Sequence, residues 1–102
     1  MIHVIATVEL HAGKKEPFLE ALRSNLGPVR AEDGCLEYGP TVDVVTGIGA
    51  QLPVRDNVVT IVERWRDLAA LRAHLAAPHM VSYRERVKDL VAKVTLQVLE
   101  PV

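Results

Sequence analysis

The sequence predicts an α+β fold, a four-stranded antiparallel sheet with helices on one face. Three observations predict it. Stretches of strand character recur four times, helical periodicity of apolar residues follows the first and the third of them, and the order is strand, helix, strand, strand, helix pair, strand. That order is the ferredoxin-like, split βαβ pattern. A chain of 102 residues is one domain, spanning 1–102, and buries about two thirds of the surface its unfolded form exposes.

Each element has its own justification. The opening IHVIATVEL alternates, with Ile2, Val4, Ala6, Val8 and Leu10 on one face and His3, Ile5, Thr7 and Glu9 on the other. From Lys14, Phe18, Leu22, Leu26 and Val29 recur at helical spacing, and Pro17 falls early enough for a first turn to tolerate it. Gly27-Pro28 is expected to kink or end this helix, and Glu32-Asp33-Gly34 supplies a stop. A second strand is expected over 35–45, bulged or bent at Gly39 and Pro40. The turn-rich segment 46–57 reads as a long hairpin connection to the most clearly marked strand, 58–65. Asp67 is a good N-cap for a short helix striped by Leu68, Leu71 and Leu75. Pro78 ends that helix and suits the first position of another, striped by Met80, Tyr83, Val87 and Leu90. Val94, Leu96 and Val98 mark the last strand, over 93–101.

In the third strand Val59, Ile61 and Trp65 lie on one side and Val58, Thr60 and Val62 on the other, so both faces are largely apolar. A sheet with helices on one face alone leaves such a surface to water, and a homodimer packed sheet to sheet is the expectation. Twelve basic against thirteen acidic residues, with no basic cluster, exclude nucleic acid as a partner. The uncharged run VVTGIGAQLPV is far short of the roughly 20 residues a membrane span needs. The single cysteine and an N-terminus without a basic, cleavable leader place the chain in the cytoplasm by expectation.

No cofactor and no metal is expected. Gly47-Ile48-Gly49 lacks the third glycine and the helix of a dinucleotide loop, and no phosphate-binding GxxxxGK motif occurs. His3 and His11 are roughly 26 Å apart along an extended strand, and Pro78 interrupts the helix between His74 and His79. Cys35 has nothing nearby to make it a thiolate and reads as a small structural residue. Glu63 shares a strand face with Trp65, where a carboxylate needs a basic or backbone partner unless it is itself a base. Trp65 either fills the layer between sheet and helices or lines a cavity with Ile61, and Tyr83 reaches the same space. The candidate bases are the two histidines. His74, near a helix C-terminus, reads as securing that end, whereas His79, in the first turn behind Pro78, is kept neutral by the helix dipole and is the better proton acceptor.

The segments EDGCLEYGPTVD, IVERW, LAALRAHLAAPHM and VLEP together resemble the antibiotic biosynthesis monooxygenase family, and its small quinol monooxygenase branch most of all. The resemblance, over nearly the whole chain, implies a dimeric α+β barrel of two ferredoxin-like protomers with a pocket between sheet and helices. It implies oxidation by dioxygen without flavin, haem or metal, with a small aromatic quinol as substrate. Proton removal would leave an electron-rich anion able to reduce oxygen, so the protein supplies a base and a dry cavity. The residues expected there are His79 and His74 as catalytic groups, and Trp65, Tyr83, Ile61, Glu63 and Tyr38 against the substrate. Haem-degrading relatives would require an asparagine and a histidine where this chain has Ala6 and Arg84, which rules that activity out. Two alternatives stand beside the quinol reading. They are isomerisation of a small phosphorylated sugar-like ketone, marked by converging charges, and a non-catalytic small-molecule-binding dimer, marked by a filled pocket.

Overall fold

The computed structural model describes all 102 residues. Its elements are β1 (Ile2–Leu10), α1 (Lys15–Arg30), β2 (Cys35–Thr41), β3 (Val58–Trp65), α2 (Leu68–Ala76), α3 (Pro78–Val87) and β4 (Val91–Leu99). The strands order as β2-β3-β1-β4, and every neighbouring pair is antiparallel. This is the expected ferredoxin-like α+β fold. No helix is long and apolar enough to cross a membrane.

Register explains which residues enter the core. Val4 lies opposite Glu63, Ala6 opposite Ile61 and Val8 opposite Val59, so alternate residues of β1 and β3 point together at the helices. Phe18, Leu22 and Val29 of α1, Leu71 of α2, and Met80, Tyr83 and Val87 of α3 cover them. The period that buries Ile61 and Trp65 carries Glu63 into the same layer.

Several boundaries differ from expectation, each for a local reason. Gly27-Pro28 neither ends nor interrupts α1. Pro28 forgoes one intrahelical bond, but Val29 beyond it is fully buried and the Ala31 N–H still reaches the Gly27 carbonyl at 3.1 Å. Arg30 then donates from Nε to the Tyr38 carbonyl at 3.0 Å, tying the helix end to β2. β2 stops at Thr41 instead of running to 45, because Asp43 turns to bind both the backbone N–H and the guanidinium of Arg55, at 2.9 to 3.0 Å. The irregularity in β2 falls between Cys35 and Glu37. Pro40 pairs opposite Ile61 on an edge strand, where a missing N–H is tolerated. β4 begins at Val91, ahead of Lys93, and ends at Leu99.

The buried face of α2 is not the leucine stripe. Leu68 and Leu75 are exposed, and Ala70, Leu71 and His74 face inward. Asp67 caps the helix as expected, accepting from the Ala70 N–H at 2.8 Å. Gly34, at φ +84°, lets the turn before β2 approach so closely that an added Cβ would stand 2.6 Å from the Ala70 methyl. That contact sets the rotation of α2 and turns His74, not Leu75, toward the sheet.

The sheet face away from the helices is mixed. Ile5 and Val62 form its half-buried apolar centre, flanked by Thr7, Thr60 and Gln97. The more exposed apolar row is Val94, Leu96 and Val98 of β4, which pair with Val8, Ala6 and Val4 and so lie on the helix side, beyond the helices' reach.

Candidate active site

Between the helix side of the sheet and α1, α2 and α3 is a cavity of about 310 Å³. Ala6, Val8 and Ile61 form its floor, Phe18, Met80 and Tyr83 its walls, and Val94 and Leu96 of the edge strand border it. Twelve of its sixteen lining residues are hydrophobic; the others are Glu63, His74, Arg84 and Lys88. Such a cavity suits a small, largely apolar ligand held by a few polar groups.

His74 is 2% exposed and packed between two aromatic rings. The Trp65 ring lies 4.6 Å away, tilted by 34°, and Tyr38 meets it edge-on at 5.4 Å. Its Nδ1 lies 2.8 Å from Oε2 of Glu32, and the same oxygen lies 2.9 Å from Nε2 of His79. A carboxylate can only accept, so His74 in its neutral form carries its proton on Nδ1 and keeps a lone pair on Nε2. Every fully enclosed polar side-chain atom has a partner. Nε2 of His74 has none within the protein, and it therefore opens on the cavity. Burial pushes this imidazole below its ordinary value near 6.5, and the hydrogen bond and charge of Glu32 offset that only in part.

Glu63 has a single partner, the Trp65 Nε1–H, which donates to its Oε1 at 2.9 Å. The partner is thus a neutral indole in place of the basic or backbone group expected from sequence. Burial pushes the carboxyl up to about 7, with the indole bond countering and the negative charge of Glu32 adding to the rise. The phenols of Tyr38 and Tyr83 are pushed above their ordinary value by burial and stay neutral. Burial also raises the half-buried Cys35 thiol, the opposite of what a reactive thiolate requires.

The structure brings His74, Tyr38, Ile61, Glu63 and Tyr83 together on the cavity. Trp65 is fully buried one layer behind, touching both His74 and Glu63 without forming part of the lining. His79 does occupy the first turn of α3, but its ring turns to Glu32, is 29% exposed, and is likewise no part of the lining. Sequence reasoning missed Glu32 altogether. It sits in the turn read only as a helix stop, 42 residues from His74 and 47 from His79, and no local spacing could have joined them.

The chain is 35% identical over 103 residues to the protein of Escherichia coli K12 named probable quinol monooxygenase YgiN, covering 99% of this chain and 98% of that one. Among solved structures, PA3566 from Pseudomonas aeruginosa superposes with a TM-score of 0.80 at 28% identity, covering 99% of this chain and 93% of the other. Rv0793 from Mycobacterium tuberculosis does so with a TM-score of 0.78 at 28% identity, covering 99% and 94%. The family model described as antibiotic biosynthesis monooxygenase matches residues 1–86, which hold every strand and helix of the fold except the last strand and the final residue of α3. The chain belongs to the antibiotic biosynthesis monooxygenase family, and at the level that family defines it is a monooxygenase, an oxidoreductase.

Proposed function

We propose that the protein oxidises a small aromatic quinol or polyphenol with dioxygen, without a resident cofactor, and that His74 is the base that starts the reaction. The observation that carries this reading is one neutral, desolvated imidazole with a free nitrogen on an otherwise aliphatic and aromatic cavity. A ring-shaped apolar substrate fits those walls, and one hydroxyl against His74 with the other against Glu63 would orient a diol. Removal of the phenolic proton raises the ring's electron density, and a water-poor cavity keeps the anion poorly solvated and reducing. Quinol plus dioxygen gives hydroxyquinone plus water, with every electron supplied by the substrate. The name of the Escherichia coli relative supports the same substrate class.

The base assigned by helix dipole from the sequence was His79. In this proposal the role passes to His74, because His79 spends its Nε2 on Glu32 and stands outside the lining. The isomerase reading is less well supported. Arg84 and Lys88 are the only cations on the cavity, and Arg84 already donates to the Leu75 carbonyl at 2.8 Å, so no cluster converges on a phosphate. The non-catalytic small-molecule-binding dimer, which a filled pocket would mark, is also less well supported, because the cavity is not filled.

The proposal includes a homodimer and a cytoplasmic setting. The half-buried Ile5–Val62 centre of the bare sheet face and the exposed row on β4 support the first, and the unpaired Cys35 supports the second. The direct test is incubation of chelator-treated protein with a panel of hydroquinones under isotopically labelled dioxygen. One labelled oxygen in the product supports the reading. Uptake without incorporation, or no uptake across the panel, defeats it.

A further inference from the structure

We propose that Glu32 is a positioning residue: its Oε2 fixes His74 in the Nδ1–H form, so that Nε2 is the proton acceptor in the cavity, and His79 clamps the same oxygen from the solvent side. The inference rests on the reading of His74 as the base, and it assigns roles to two residues that do not line the cavity.

Three features carry it. The first is burial that falls in sequence, with the side chain of His74 2% exposed, that of Glu32 13% and that of His79 29%, so one carboxylate bridges the buried imidazole and the surface. The second is rigidity. Backbone bonds hold Glu32 on both sides, its N–H to the Val29 carbonyl at 3.0 Å and its carbonyl from the Cys35 N–H at 3.1 Å. The third is the partition of the imidazole's nitrogens. With Nδ1 committed at 2.8 Å and Trp65 and Tyr38 against the ring, no rotation can present Nδ1 to the cavity, so the tautomer alone decides whether the cavity meets an acceptor or a donor. The remaining charged and titratable neighbours of His74 are Arg84, Glu63 and Tyr38, and none of them bonds its nitrogens.

His79 has a defined place in this arrangement. Two donors on one oxygen hold the carboxylate in the orientation that meets His74, and the second donor removes the need for water at a site only partly shielded from it. The arrangement is that of a carboxylate orienting a base, with a second imidazole as the carboxylate's own support.

The test is the tautomer of His74 in ligand-free, nitrogen-labelled protein, read from heteronuclear spectra above its titration, in wild type, Glu32→Gln and Glu32→Asp. Wild type should show Nδ1–H. In Glu32→Gln the amide can donate to Nδ1, so the tautomer should shift to Nε2–H, and kcat should fall by about 10²- to 10⁴-fold with KM changed far less. Glu32→Asp, which keeps the carboxylate, should keep the tautomer and recover part of the rate. An Nε2–H tautomer in wild type overturns the proposal, as does a Glu32→Gln protein that keeps both tautomer and kcat. If Glu32→Gln fails to fold, the wild-type and Glu32→Asp spectra still decide. Failure here is separable from failure of the base reading: His74→Gln inactive with Glu32→Gln unimpaired removes only the positioning role.

Discussion

At the scale of single residues, the site is governed by two buried groups with opposite pH linkage. Glu63 is raised from an ordinary value of 4.5 to about 7 in the fold, so the folded chain binds more protons than the unfolded one between those values. Its protonated form is the compatible one. Stability should be highest below about 4.5 on this account, fall as pH rises towards 7, and level off above, a loss of about 3 kcal/mol. Glu63→Gln should flatten that slope in denaturant titrations run from pH 5 to 8. His74 acts the other way. Its value is lowered, so its contribution is present above 6.5 and is lost as pH falls through the depressed folded value. Turnover should accordingly show an acid limb below 6.5 that belongs to His74.

Trp65→Phe removes the indole N–H together with part of a fully buried ring. It leaves Glu63 without its protein donor, so the carboxyl should titrate above about 7, and the unpaired buried group should cost about 1 to 3 kcal/mol. An unchanged Glu63 titration would show that the bond does not bear on the carboxyl. Much of this shell was legible because strand period alone puts Ile61, Glu63 and Trp65 on one face. What hid Trp65's true place is depth, since periodicity assigns a face and cannot say which side chain stands in front of another. The dipole argument for His79 likewise weighed one helix and could not see a carboxylate arriving from the far end of α1.

At the scale of elements, strands and caps were read more securely than helix faces. β3 and the junction of α2 and α3 at Pro78 fall where the sequence put them, because both rest on local signals, β-branched alternation in one and proline chemistry in the other. The face of α2 was misread because hydropathy ranks Leu75 above His74, whereas the contact of Gly34 with Ala70 decides the rotation. Gly34→Ala should therefore be severe. It meets the Ala70 methyl and demands a left-handed backbone from alanine, a cost of about 1 to 3 kcal/mol for the backbone alone, and it should displace His74 enough to lower turnover. Asp67→Ala removes only the cap and should cost about 1 kcal/mol in thermal or denaturant unfolding with turnover retained. If Gly34→Ala proves as mild as Asp67→Ala, the close approach does not fix the helix.

At the scale of the whole molecule, two layers give a body only 19 Å across its thinnest axis, with apolar surface left on both sides of the sheet. Apolar alternation in β3 pointed to that surface, but the order of exposure was not legible. It depends on α3 stopping short of β4, which leaves Val94, Leu96 and Val98 at 53%, 45% and 42% exposure. A dimer is expected in sedimentation at micromolar concentration, at twice the chain mass of 11.2 kDa. Replacing Leu96 and Val98 together with threonine should weaken the dimer if the β4 row is part of the contact, whereas Ile5→Thr should do so if the bare face is. The proposed chemistry lies inside one protomer, and dioxygen consumption by chelator-treated wild type, His74→Gln and His79→Gln with a hydroquinone at pH 7.5 measures it. His74→Gln should lose about 10²- to 10⁴-fold and His79→Gln less. Wild-type turnover in His74→Gln, or the larger loss in His79→Gln, would contradict His74 as the base.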